Sequence, residues 1–339
     1  MGLQIGEIVP KKTITLEELK GKIIAVDAFN ALYQFLANIR QPDGTLLMDS
    51  KGRITSHLSG LFYRTINLLS LGIKLVYVFD GKPPELKSST IETREERKKE
   101  AFLKYEEARK AGEEKEMLKY AKQMPKLTQE MVEESIDLLN AMGIPIIKAP
   151  SEGEAQAAFI AKKEAFAVAS QDYDALLFGA PRVVQNLTFA RKRKLSSGAS
   201  VPVEPELIEL EHVLNTLQIN LDQLICLGIL VGTDFNPGGV KGIGPKKALE
   251  IVKRYKQPIM IFKSIEKDVS FDWQEVFELF KKPDVTKNYK IKFSEINEKK
   301  VKELLCKEHD FSEQRIENAI RKVEEAKEAG KQEQLNKWF

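Results

Sequence analysis

Six carboxylates fall where a metal-dependent reaction would want them. Asp27 ends the run Ile23-Ile24-Ala25-Val26, and Asp80 ends Leu75-Val76-Tyr77-Val78-Phe79. Glu152 and Glu154 follow Ile144-Pro145-Ile146-Ile147, and Asp172 and Asp174 follow Ala165-Phe166-Ala167-Val168-Ala169. Asp234, in Leu230-Val231-Gly232-Thr233-Asp234, supplies a seventh. Acids converging on one edge repel one another unless cations neutralise them, and all-oxygen ligation points to Mg²⁺ or Mn²⁺. Acids separated by one residue can serve two neighbouring ions about 3.5–4 Å apart, a spacing at which a phosphate can be held between them. Each acid also has a plainer role. Ser151 and Glu154 fit a capping box, and an aspartate after a strand is commonly a turn or N-cap residue. The recurrence at one edge is what the plainer roles leave unexplained.

The elements that must position these acids are legible in the same runs. Short, nearly continuous apolar stretches describe strands buried on both faces, as in a parallel sheet. Helical patterns lie between them, at Leu58 to Leu71 and Met131 to Met142, so βαβ units and a three-layer α/β core are expected. Functional groups of such sheets sit at the carboxyl ends of the strands, where the acids fall. Glu92 to Lys122 breaks the alternation: 19 of its 31 residues are charged, nine acidic and ten basic. A pair of exposed helices broken at Ala111-Gly112 fits it, serving either as a solvated hairpin held by ion pairs or as a face toward nucleic acid. Beyond Leu221 the chain is expected to be helical.

Further side chains suit a polyanionic substrate. Val240-Lys241-Gly242-Ile243-Gly244-Pro245-Lys246-Lys247 opens a helix whose free backbone amides could hold a phosphate, with Gly242 and Gly244 allowing close approach and Lys246 and Lys247 adding charge. Lys87 and Arg94 could stabilise charge at a reacting phosphate, or be solubilising charges. Tyr33 could stack on a base, or belong to an amphipathic helix. The tail places Gln332, Leu335, Trp338 and Phe339 at one, four, seven and eight of an octapeptide, anchors for a hydrophobic pocket on a partner unless they fold back on the core.

Composition narrows the classes. The chain has 339 residues, 42% hydrophobic and 30% charged, with a net charge of +3. No apolar stretch approaches the roughly 20 residues of a membrane span, so no membrane association and a cytoplasmic location are expected. Cys226 and Cys306 have no CxxC partner, and His57, His212 and His309 are too scattered to suggest a histidine metal site. No glycine-rich loop follows the first strand, which argues against a dinucleotide enzyme. Nothing marks a large self-association surface, so a monomer is expected.

Val26-Asp27-Ala28, Val76 to Pro84, Ala149 to Gln156, Ser170 to Asp174 and Gly242 to Lys246 together resemble the signatures of flap endonucleases, in order along the whole chain. The resemblance implies a structure-specific 5′ flap endonuclease with 5′-3′ exonuclease activity, hydrolysing branched DNA in replication and repair. It implies a mostly parallel central sheet flanked by helices, with a helical arch and a helix–two-turn–helix DNA-binding element, often with K⁺. It implies that the seven acids hold two Mg²⁺ ions, that Lys87 and Arg94 sit over the scissile phosphate, and that Tyr33 stacks beside it. Arg40 to His57 would be the wedge that bends the substrate, with Arg40 and Thr55 as contacts. The terminal octapeptide would engage a PCNA-type sliding clamp. One nuclease domain over 1–330 is implied, followed by the clamp-binding tail 331–339. Within the domain lie an N-terminal region to about 100, an arch at about 88–126, an internal region at about 127–260 and a helical part from about 261. Trp338 where phenylalanine is more usual, and the lack of a basic tail after it, favour the archaeal type. A sibling nuclease for bubbles or four-way junctions and a catalytically idle, clamp-recruited DNA-bending scaffold are the alternatives.

Overall fold

The computed structural model describes residues 3–41, 43–121, 127–187, 192–194, 200–266, 269 and 271–336. Its strands are β1 (Lys12–Thr13), β2 (Ile23–Asp27), β3 (Lys74–Phe79), β4 (Ile146–Lys148), β5 (Ala167–Ala169), β6 (Arg182–Gln185), β7 (Lys192–Lys194), β8 (Ser200–Pro202) and β9 (Glu206–Glu209). Seven of them form one sheet in the order β1-β9-β6-β5-β2-β3-β4, and β7 and β8 pair separately. The run from β6 to β4 is parallel, whereas β9 lies antiparallel on β6 and β1 antiparallel on β9. Strand order reverses at β2, which has β3 on one side and β5 on the other. The crevice beyond the carboxyl ends of β2 and β5 is therefore a topological switch point, the usual place for a site in an open α/β sheet.

Helices cover both faces. The first eight are α1 (Ala28–Asn38), α2 (Ser56–Ser70), α3 (Ser88–Ala111), α4 (Glu114–Ala121), α5 (Gln129–Ala141), α6 (Gly153–Ala161), α7 (Asp174–Leu177) and α8 (Leu210–Leu217). They are followed by α9 (Leu221–Val231), α10 (Pro245–Tyr255), α11 (Pro258–Lys263), α12 (Trp273–Lys281), α13 (Glu298–Lys302) and α14 (Glu313–Asn336). Alternation along the strands separates two apolar layers. Ala25, Val76, Val78 and Val168 pack with α6, α7 and α9. Ile24, Val26, Leu75, Tyr77 and Phe79 pack with α1, α2, α5 and α14. Small residues let α6 lie close to the sheet: Ala155, Ala157 and Ala158 are all fully or nearly buried.

The expected strands and helices are present at the acid-bearing runs. As far as Ala121 the charged segment forms α3 and α4, which pack on each other across a break at Gly112, where φ is +71°, while 122–126 of the expected arch lie outside the described residues. Among the described residues no single helix is long and apolar enough to cross a membrane.

Candidate active site

The loops after β3 and β4 are laced together, and this sets the geometry of the acids. Gly81 donates its N–H to the Ser151 carbonyl at 2.7 Å, and Lys82 donates to Pro150 at 3.2 Å. A Cβ on Gly81 would stand 2.2 Å from the Ala149 carbonyl oxygen, so no larger residue permits this approach. Asp80 Oδ1 accepts the Gly153 N–H at 2.7 Å, which caps α6 from another strand. The capping-box expectation is thereby corrected: Glu152, not Ser151, is the N-cap residue of α6, and it makes no capping bond. The first turn of α6 is thus satisfied in part by Asp80, leaving both glutamates for other work.

The remaining acids are held by short contacts around the switch point. Asp27 caps α1 by accepting the Asn30 N–H at 3.0 Å, so its plainer role and its place in the cluster coexist. Asp172 Oδ2 accepts from the Asn30 amide at 2.9 Å, and Glu154 Oε1 accepts from the Ser170 hydroxyl at 2.6 Å. Asp174 opens α7 and is 5% exposed, with its Oδ1 buried and without a hydrogen-bond partner among the described residues. Lys87 extends into the cluster, with Nζ 2.6 Å from Glu152 Oε2 and 3.7 Å from Asp234 Oδ2. The structure thus brings together all seven predicted acids and Lys87.

Electrostatically the cluster is under stress. Burial, then the charge of Asp80, pushes the Asp27 carboxyl well above its usual range. Burial, then Asp174, does the same to Glu154. Asp174 is pushed up to about 8 by burial and by Asp172 and Asp234, against the pull of Lys87 and a backbone bond from Leu3. Burial also raises Glu152, although Lys87 opposes it. For Lys87 burial works against the charge, but Glu152 and the neighbouring acids outweigh it and raise its pKa. Among the described residues the Lys87 ammonium faces seven carboxylates, so ionising them all would leave an excess of negative charge in a partly desolvated crevice. An orphaned buried carboxylate oxygen within an all-oxygen donor set is what a hard divalent cation would satisfy, so the residues present fit such an ion. Among the described residues, no three acids close around one point as a finished coordination shell. A Mg²⁺-type ion does not require that, because it keeps several waters and takes one or two carboxylates.

The other predicted residues are distributed unevenly. Tyr33 is 37% exposed on α1, and Lys98 of α3 lies 5.7 Å from its ring centre. Arg94 falls within α3, but its side chain lies outside the described residues, as do those of Gln332 and Leu335 on α14. Trp338 and Phe339 lie outside them altogether. Arg40 is half-buried and donates to the carbonyls of Ala37 at 3.1 Å and Gly44 at 2.8 Å. Thr55 is 4% exposed at the start of α2. Thr55 is thus enclosed, whereas Arg40 is half-buried with donors directed at its own segment. Gly242 adopts φ +77° and Gly244 is the N-cap of α10 with no side-chain capping bond. A Cβ on either would meet nothing within 4 Å, so this turn is open to a ligand. Lys246 and Lys247 are exposed beside it, the first 3.5 Å from Glu7 and the second 3.5 Å from the Gly242 carbonyl.

Sequence reasoning missed Asn30 and Ser170, whose polar atoms hold the acids. Their positions within three residues of Asp27 and two of Asp172 were the available signal. It also missed that His57 and His309 meet: both direct Nε2 at Glu134, at 3.0 and 3.2 Å, and His309 Nδ1 faces Asp49 at 3.1 Å. These are hydrogen-bonding distances, with no room for an ion between the partners.

Residues 3–101 match the XPG N-terminal domain, and residues 143–234 match the XPG I-region. Flap endonuclease 1 of Pyrococcus abyssi is 55% identical over 341 aligned positions, covering 100% of this chain and 98% of that protein. The corresponding protein of Thermococcus onnurineus is 54% identical, covering 100% and 99%. The solved flap endonuclease-1 from Methanococcus jannaschii superposes with a TM-score of 0.77 at 46% identity, over 96% of this chain and 98% of that one. Nucleases of this kind work with divalent metal ions, in keeping with the donor set described above. The chain belongs to the flap endonuclease 1 family, and it is a structure-specific nuclease that binds and cuts branched DNA.

Proposed function

We propose that Asp27, Asp80, Glu152, Glu154, Asp172, Asp174 and Asp234 hold two Mg²⁺ ions, replaceable by Mn²⁺, at the crevice beyond β2 and β5. Bound there, such ions supply Lewis-acid charge neutralisation at a scissile phosphodiester and activate water for its hydrolysis. The observation that carries this reading is the convergence of six acids from the ends of β2, β3, β4 and β5 with Asp234 from the loop after α9, a buried oxygen of Asp174 having no hydrogen-bond partner among the described residues. Lys87, anchored by Glu152 and Asp234, places its ammonium where a phosphate drawn to the acids would arrive, and it offsets charge developing on the phosphate oxygens. Arg94, in the α3 helix that begins just after Lys87, adds a second cation. Tyr33 stacks on the base beside the cut.

Away from the chemistry, the α10 N-terminus with Gly242, Gly244, Lys246 and Lys247 grips the backbone of downstream duplex without reading its sequence, and a K⁺ ion held at this turn would supply further positive charge toward that backbone. The loop from Arg40 to Thr55 supports the bend at the junction. The α3–α4 hairpin admits the 5′ flap, and the same site trims 5′ ends exonucleolytically. The Gln332, Leu335, Trp338 and Phe339 tail tethers the enzyme, as a monomer, to a PCNA-type sliding clamp in the cytoplasm of an archaeal cell.

The test is cleavage of an end-labelled double-flap DNA by wild type and Asp174→Ala, in Mg²⁺ and in EDTA. Release of the intact flap by wild type in Mg²⁺ alone, with the variant binding but not cutting, is expected. Equal cutting in EDTA would sink the metal-dependent reading.

A further inference from the structure

Asn30 reaches acids from both strands flanking the switch point, one through its backbone and one through its side chain. Its backbone N–H holds Asp27 Oδ1 at 3.0 Å. Its side-chain NH₂ donates to Asp172 Oδ2 at 2.9 Å, and its side-chain oxygen accepts the Gln171 N–H at 3.3 Å. The amide orientation follows from chemistry, since the reverse would set an oxygen against a carboxylate and a donor against an N–H.

The loop that Asn30 grips is fixed at further points. The Gln185 amide donates to the Gln171 carbonyl at 2.8 Å, and Lys11 holds Gln185 Oε1 at 2.7 Å. The Asp172 N–H donates to Ser170 Oγ at 3.2 Å, while that hydroxyl donates to Glu154 at 2.6 Å. A single chain of bonds therefore runs from α1 through the loop after β5 to α6, passing through Asp172 and Glu154. Behind it lies a cavity of about 10 Å³, lined by Asp27, Asn30, Ser170 and Gln171, room for about one water and too little for the amide to swing away.

We infer that Asn30 is a positioning residue for the cation site, orienting Asp172 directly and, through the Ser170 loop, Glu154, so that two mutually repelling acids are held ready for one set of ions. The inference rests on the metal-dependent reading above. Groups that orient ligating carboxylates typically account for about 10–100-fold in metal affinity. Asn30 makes this contribution without itself touching the scissile phosphate.

The test is Mn²⁺ titration by calorimetry, without DNA, of wild type, Asn30→Ala, Ser170→Ala, Asp172→Asn and the Asn30→Ala/Asp172→Asn pair. Asn30→Ala keeps a good helix former on α1, so its fold is expected to survive, and Ser170→Ala probes the same chain from its other end. Both variants are expected to bind Mn²⁺ about 10–100-fold more weakly. Flap-DNA binding in EDTA should be unchanged, and kcat should fall while KM for the flap holds. In the Asp172→Asn background, Asn30→Ala should add less than about threefold, as expected of residues acting as one unit. Mn²⁺ affinity of Asn30→Ala within about twofold of wild type would overturn the inference, as would an undiminished loss in the Asp172→Asn background. A parallel loss of DNA binding in EDTA would overturn it too. If wild type itself bound no Mn²⁺, the metal-dependent reading would fall first, and with it the inference.

Discussion

Replacing Asp174 by asparagine is predicted to make the metal-free protein more stable while destroying its activity. The ordinary value for this carboxyl is 3.8, and burial with Asp172 and Asp234 pushes it up to about 8. An acid whose folded-state pKa is raised binds more protons folded than unfolded between those values, so its contribution to stability falls as pH rises through that window. At about 1.4 kcal/mol per unit, ionising Asp174 in the unfolded chain at pH 7 while it stays protonated in the folded one costs about 4 kcal/mol. Coupling within the cluster lowers the expectation to about 2–4 kcal/mol. At pH 5 the same arithmetic gives roughly half as much or less. Asparagine carries no charge to desolvate, and its oxygen can still accept the Leu3 backbone N–H. Urea denaturation in EDTA at pH 7 should therefore show Asp174→Asn with the higher midpoint, and the gap should narrow at pH 5. In Mg²⁺ the order should close or invert, because only wild type gains stability from the bound ion. A variant less stable than wild type in EDTA at pH 7, or a gap that ignores pH, would refute the reasoning.

Gly153→Ala would put a Cβ 2.5 Å from Asp80 Oδ1, displacing the carboxylate that caps α6. Overpacking of this kind costs about 1–3 kcal/mol, so a lower urea midpoint should accompany a kcat drop of at least tenfold (roughly the loss of one oriented ligand). Replacing Lys246 and Lys247 with alanine should weaken duplex binding on all sequences and lower the salt-dependence slope by about one for each phosphate no longer neutralised. For Asp49, burial works to raise the carboxyl, but bonds from Arg53, His309 and the Lys51 N–H outweigh it and bring it to about 2. A depressed carboxyl stabilises the fold above its unfolded value and loses that effect as pH falls through its folded one. Wild type should accordingly lose stability between about pH 4 and 2, and Asp49→Asn should show a shallower fall there in an acid titration followed by circular dichroism.

Much of the fold and the membership of the acid cluster were legible because they depend on local runs. Ile23 to Val26 and Leu75 to Phe79 are apolar on both faces, which marks buried parallel strands, and the acids follow them directly. The sheet edge was not legible: β1 is two residues long and β9 reads Glu-Leu-Ile-Glu, too short for periodicity to distinguish from a turn. The cap of α6 was misassigned because the true partner, Asp80, lies 73 residues away, beyond the reach of any local motif. The same limit hid the meeting of His57 and His309 at Glu134 and the grip of Asn30 on Asp172. Sequence spacing placed Lys87 near Asp80, but only the fold turns its ammonium onto Glu152 and Asp234. Arg40 shows the converse, since a charged residue in an exposed-looking loop can direct its donors at carbonyls of that same segment.

The most direct test of the account is anomalous diffraction from crystals of the protein soaked in Mn²⁺. Two peaks about 3.5–4 Å apart in the crevice beyond β2 and β5, within ligand reach of Asp174 and its neighbours, are predicted. Peaks only at surface acids, with Lys87 still seated on Glu152, would contradict the claim that these carboxylates are a cation site.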